Sequence, residues 1–170
     1  MRKIISIVLI SLTFLQLSAQ EINQVMVDPD LEREVLIGLV DEQGLMNPLF
    51  VEDWEDKMEI YSPDKVVANK LKKFFKKNKD VKVIVFFASW CHDSQVQMPD
   101  FIKLAHKAKI KDVTYYALSG KKDMPSMDIE KYNIELVPTF IIYRGEVEIG
   151  RIIESPKVSL EKDLWEVVRK

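Results

Sequence analysis

The sharpest feature in the hydrophobic pattern is the unbroken apolar run from Val83 to Ala88. It is rich in β-branched and aromatic residues, and a run without polar interruption predicts a strand covered on both faces. The polar triplet His92-Asp93-Ser94 follows almost at once, and a helical pattern begins at Cys91. Upstream, Val67, Leu71, Phe74 and Phe75 repeat at helical spacing and predict a helix over 64–79, with Asp64 in its first turn. Its outer face carries Lys70, Lys72, Lys73, Lys76, Lys77 and Lys79, a pattern that fits a solvated face better than a membrane or acidic-partner patch. Downstream, 112–119 reads as a strand, and Ser126 is placed to cap a short helix ending near Tyr132-Asn133. Residues 139–143 and 146–153 read as two strands joined at Arg144-Gly145. Ser159 is placed to cap a final helix whose Leu160, Leu164, Val167 and Val168 face the sheet. The order βαβ, short helix, ββα predicts an α/β fold with helices on both faces of the sheet.

The first 63 residues fall into two parts. In 1–19, a basic Arg2-Lys3 precedes an apolar stretch over 4–17 and a small Ser18-Ala19, the pattern of a secretory signal. The stretch is shorter than the ~20 apolar residues that span a bilayer comfortably, which favours cleavage over a permanent anchor. The mature chain is then expected in the periplasm or outside the cell, with no stable membrane insertion. Residues 20–63 are expected to form an extension packed on a domain over 64–170. Within the extension, Val35-Leu36-Ile37-Gly38-Leu39-Val40 fits an edge strand or the end of a helix beginning near Asp30, and so short a run does not decide between them. Phe50, Trp54, Met58 and Tyr61 fall at helical spacing, so the extension is expected to be helical, with that stripe packed on the domain.

Composition narrows the function classes. A chain of 170 residues suits one domain and a processing segment. It carries 25 basic and 27 acidic residues, and loss of Arg2 and Lys3 with the leader would leave 23 basic, a balance that argues against a nucleic-acid partner. A single cysteine excludes an internal disulfide and internal dithiol cycling, while leaving a Cys91-linked dimer open on oxidation.

Cys91 is the main chemical candidate. A free cysteine is often a small buried hydrophobe, but this one follows a strand, sits beside three polar residues and starts a helix, where unpaired N–H groups favour a thiolate. Asp93 opposes the thiolate by repulsion. Ser94 cannot attack a mixed disulfide, because exchange runs through thiolate sulfur; it can hydrogen-bond the Cys91 sulfur or cap the helix. His92 fits either a proton donor beside the sulfur or an exposed neutral imidazole. His106 lies 15 residues beyond Cys91 and fits a structural or solvated role. Cys91 and two histidines do not make a spaced ligand cluster, so neither a metal nor a cofactor is expected. Trp90 is placed to shield the sulfur and supply contact surface.

Phe86-Phe87-Ala88-Ser89-Trp90-Cys91 followed by Pro99 resembles the active-site segment of the thioredoxin superfamily, and Val137-Pro138-Thr139-Phe140 resembles its cis-proline loop. The resemblance runs from about residue 81 to the C-terminus. It implies a thioredoxin-like fold: a central mixed β-sheet flanked by helices on both faces, here with an N-terminal helical extension. It also implies a cis bond before Pro138, substrate contact by Trp90, Val137 and Pro138, and a helix kink at Pro99. Two departures stand out: Ser94 replaces the second cysteine, and Val85 occupies the place of a buried acid six residues before Cys91. The WCxDSQ and GRIxESP patterns are similar to those of exported bacterial thioredoxin-like proteins. The implied function is monothiol exchange through mixed disulfides, with a cysteine-containing protein or a low-molecular-weight thiol or disulfide as partner. The alternative is a non-catalytic peptide- or protein-interaction module on the same fold.

Overall fold

The apolar run becomes the central strand β3, Val81–Phe87. In this computed structural model, which describes residues 21–125 and 127–170, β3 pairs in parallel with β4 (Val113–Ala117) and antiparallel with β5 (Thr139–Arg144). The expected leader at 1–19 and the cap at Ser126 lie outside the described residues. β1 (Gln24–Asp28) and β2 (Arg33–Val40) form an antiparallel hairpin, β2 continues onto β4, and β6 (Val147–Ile153) closes the other edge on β5. The six strands lie in the order β1-β2-β4-β3-β5-β6.

The mixed sheet is as expected, but its two faces are unequal. Helices α1 (Glu42–Leu45), α2 (Trp54–Ile60), α3 (Lys65–Lys77), α4 (His92–Ala108) and α5 (Leu160–Val168) all send side chains into one core with Val83, Val85 and Phe87. The other face centres on Phe86 and Ile141 and is closed by Leu118, Met124, Ile129 and Val137, with only a 3-10 turn at Glu130–Tyr132. Helices on both faces are therefore corrected to helices on one. The physical reason lies in the connection from β4 to β5: Gly120 and Pro125 interrupt it, and Lys122 and Asn133 adopt left-handed backbone.

The helical extension is corrected as well, since its first half is the β1–β2 hairpin. β2 lies inside the sheet, and burial of Val35, Leu36, Ile37 and Val40 reflects cover on both faces, which hides the alternation of an edge strand. Phe50 precedes α2 instead of belonging to it, yet is buried with its ring centroid 4.8 Å from Phe87 and 6.0 Å from Trp54.

α3 starts one residue later than expected, because the Asp64 carboxylate caps it by accepting the N–H groups of Val66 and Val67. Ala68, Leu71 and Phe75 are its buried stripe and the lysines point outward. At α5 Ser159 occupies the expected N-cap position, but its hydroxyl makes no capping bond; the Asp163 carboxylate instead accepts the preceding N–H groups of Lys157 and Val158.

A polar seam joins the helices. Glu161 is 5% exposed and accepts bonds from the Tyr61 hydroxyl at 2.8 Å and the Asp64 N–H at 3.0 Å. Burial raises its pKa, but those bonds outweigh it and hold the carboxyl below its ordinary value. The nearby Asp100 carboxyl is half-buried and pushed up to about 6, by burial first and by the Glu161 charge, against the pull of Lys103. A raised carboxyl favours the fold when protonated, so its contribution is full below about pH 4 and lost as pH rises through about 6. Asp100→Asn should therefore stabilise the protein at pH 8 by about 1 kcal/mol after solvent screening is counted. Thermal melts of both proteins from pH 4 to 8 check this, and the gap should close at the acid end.

Candidate functional site

The site forms where β3 hands over to α4. Val81–Phe87 ends at the C-terminal end of the central strand, the chain turns with Cys91 N–H donating to Ala88 C=O at 3.1 Å, and α4 begins at His92. Cys91 is the N-cap residue, in extended conformation, and half-buried. The loop before β5 faces it: the Cys91 thiol donates to the Val137 carbonyl at 3.3 Å, and the Val137–Pro138 peptide bond is cis. Thr139 Oγ1 donates to Leu136 C=O at 2.6 Å, and Glu154 N–H donates to Pro138 C=O at 2.7 Å, so both sides of the proline are fixed. Trp90 donates its indole N–H to Leu118 C=O at 3.2 Å, which lays the ring along the end of β4.

Trp90, Cys91, Val137 and Pro138 are thus brought together. His92 and Asp93 are not bonded to the sulfur: His92 is exposed, and no hydrogen bond joins either side chain to Cys91 among the described residues. Ser94 takes neither expected role. Its side chain is fully buried, and its Oγ accepts the N–H of Ala88 at 3.2 Å, a tie across the active-site turn instead of a bond to sulfur or a helix cap. Pro99 is buried inside α4. His106 is remote from the thiol, with Nε2 3.0 Å from the exposed Glu42 carboxylate.

Three supporting residues were not anticipated. Ser89 is fully buried; its Oγ accepts the Leu36 N–H at 3.0 Å and its carbonyl accepts the Gln95 side-chain amide at 2.8 Å. Gln95, the last residue of the WCxDSQ pattern, lies four residues after Cys91, a spacing that places both on one side of α4 and points to its supporting role. Asp28 is 1% exposed and bonds across the molecule to Gly120, which no local pattern announces. Among the described residues, no group of three or more His, Cys, Asp or Glu side chains is placed to hold a metal ion. No described helix is long and apolar enough to cross a membrane.

A thiol at the head of a helix, just past the central strand of a mixed sheet and against a proline loop, defines the thioredoxin-like class. The family model described as Thioredoxin matches residues 63–166, and the chain belongs to the thioredoxin family. A thioredoxin-like protein of Acanthamoeba polyphaga mimivirus is 28% identical over 89 residues, 52% of this chain and 64% of that protein. Thioredoxin H2-1 of Oryza sativa subsp. japonica is 34% identical over 82 residues, 48% of this chain and 56% of that protein. The chain therefore spans less than two thirds of the length of either. Among solved structures, oxidised thioredoxin O2 of Arabidopsis thaliana is 24% identical, with 62% of this chain and 90% of that chain covered at a TM-score of 0.41. Fasciola hepatica thioredoxin is 23% identical, with 60% and 91% covered at a TM-score of 0.40.

Proposed function

We propose that this thioredoxin-family protein is exported to the periplasm or beyond and performs monothiol exchange at Cys91. The observation that carries the proposal is the half-buried Cys91 thiol facing the Val137 carbonyl with Ser94, a buried hydroxyl, where a resolving thiol would stand. The Cys91 thiolate attacks one sulfur of a partner disulfide, a new Cys91–partner disulfide forms, and the other partner sulfur leaves as a thiolate. A second thiolate, from the partner or from a low-molecular-weight thiol, then attacks the partner sulfur and returns Cys91 as a thiolate. No net electrons are transferred, so the cycle rearranges disulfides without reducing them. Trp90 and the Val137–Pro138 segment form the contact surface for the partner's cysteine segment, with His92 at its exposed rim.

The full-length chain, expressed in a bacterial host with its own leader, supplies the test. Protein recovered from the extracytoplasmic fraction is exposed to oxidised glutathione without added thiol, and its intact mass is measured. Loss of the first residues near Ala19 and gain of one glutathionyl group, absent from Cys91→Ser, are the expected results. Retention of the leader in the cytoplasm would overturn export. Absence of any adduct, with a small protein disulfide as well, would overturn exchange and leave an interaction module.

A further inference from the structure

We propose that the β1–β2 hairpin is part of the exchange site, with Asp28 as a positioning residue that acts through Gly120 on Trp90 beside Cys91. The inference takes its functional meaning from the exchange proposal and its geometry from a continuous set of buried contacts.

Asp28 ends β1 and is 1% exposed. One carboxylate oxygen, Oδ1, serves the hairpin itself by accepting the N–H groups of Asp30 at 2.9 Å and Leu31 at 3.0 Å. That alone would make an ordinary Asx turn. The second oxygen, Oδ2, reaches 92 residues along the chain and accepts the N–H of Gly120 at 2.6 Å. Gly120 is the third residue after the end of β4, following Leu118 and Ser119. Leu118 N–H donates to Phe87 C=O at 2.9 Å, and Leu118 C=O accepts the Trp90 indole N–H at 3.2 Å. The carboxylate thus holds the strand end on which Trp90 is seated.

The hairpin grips the active-site turn a second time, through the bond from Leu36 N–H to the buried Ser89 Oγ. Two ties from one hairpin therefore reach the strand end that seats the Trp90 indole and the turn that carries both Trp90 and Cys91. A buried carboxylate is costly unless its oxygens are satisfied, and here one of the two oxygens is satisfied by the strand end that seats the site. Gly120 leaves the room this needs: a Cβ there would lie 3.2 Å from Oδ1, 3.3 Å from Oδ2 and 3.0 Å from Leu31 Cγ.

Asp28→Asn separates the two jobs. The amide oxygen can keep the turn N–H groups of Asp30 and Leu31, while the NH₂ group then faces the Gly120 N–H, donor against donor. Gly120→Ala is the complementary variant, which leaves the carboxylate in place and crowds it. Two readouts are taken under conditions where each protein is folded: solvent exchange of the Trp90 indole N–H by NMR, and the rate of Cys91 alkylation by iodoacetamide. In both variants, Trp90 exchange should rise about tenfold and Cys91 alkylation about threefold, with Trp165 exchange unchanged. In the unmodified protein, the Gly120 amide and the Trp90 indole should open in one step with the same denaturant dependence. That measurement stands if a variant fails to fold. A fall in melting temperature with Trp90 exchange and Cys91 alkylation unchanged would overturn the proposal, leaving the hairpin merely structural. Trp90 opening while Gly120 stays closed would overturn it too. Alkylation needs no disulfide partner, so failure of the exchange cycle itself would show only in the glutathionylation test.

Discussion

If Cys91 forms the proposed mixed disulfide, Ser94→Cys is expected to release the partner from within the molecule, without an external thiol. The new thiol would stand three residues after Cys91 on the same face of α4, about one helical turn away. Closing so short a loop costs little, and a nucleophile held at that distance acts at high effective concentration. Adduct release should accelerate by roughly tenfold or more over the wild-type rate without added thiol. Two features limit the gain. Ser94 Oγ accepts the buried Ala88 N–H, and a thiol is a poorer acceptor, so the variant should lose about 1 kcal/mol of stability. Val85, fully buried in the helical core, also supplies no buried carboxylate beneath the turn to take up the resolving proton. Insulin reduction with limiting reductant, with adducts followed by mass, compares the two proteins. Equal rates would mean that external thiol already resolves wild type; no adduct in either would mean that Cys91 is inert.

Phe87→Ala should lower stability by about 3–5 kcal/mol, the range for removing a fully buried aromatic side chain. Phe87 is the last residue of β3, is completely buried, and packs against Phe50 of the extension with their rings 4.8 Å apart at 45°. Its loss leaves a cavity between the active-site strand and the extension. Phe50→Ala should cost a similar amount, and the pair should fall short of additivity by about 0.5–1.5 kcal/mol because both remove one aromatic contact. Urea unfolding of the four proteins gives the cycle. A loss under 1 kcal/mol for Phe87→Ala would show that the extension is loosely docked and the core closes without it.

The parts of the fold that were legible are those where local pattern and burial agree. The run ending at Phe87 is a central strand and looks like one; Leu71 and Phe75 sit where their helical spacing puts them. β2 was ambiguous because an interior strand buries Val35, Leu36 and Ile37 in succession, and unbroken burial erases the period that separates strand from helix. Phe50 misled for the opposite reason: its spacing to Trp54 fits a helix, but it is buried from a turn, and burial does not require the helix to reach it. At the site, Trp90, Cys91, Val137 and Pro138 were visible as motifs because each sits in a short run of characteristic neighbours. Ser94 was visible as a residue but not in its role, since its partner is the backbone of Ala88 and not a side chain. Asp28 was out of reach. The turn Asp28-Pro29-Asp30 is readable, but the carboxylate's second partner lies 92 residues away and is a backbone N–H, a pairing that leaves no trace in composition or spacing.

The one-sided placement of the helices divides the molecule into halves with different tolerances. On the helical side, every position answers to several neighbours at once, and a change in one helix is felt by the others. On the opposite side, Cys91 and Pro138 border a stretch whose described residues form one 3-10 turn and otherwise irregular backbone. Replacement or lengthening at the exposed positions between Lys121 and Leu136, sparing the buried Met124 and Ile129, can therefore redraw the surface around the thiol while the helical core stays as it is. Variation there would alter which partners are admitted long before it altered whether the chain folds.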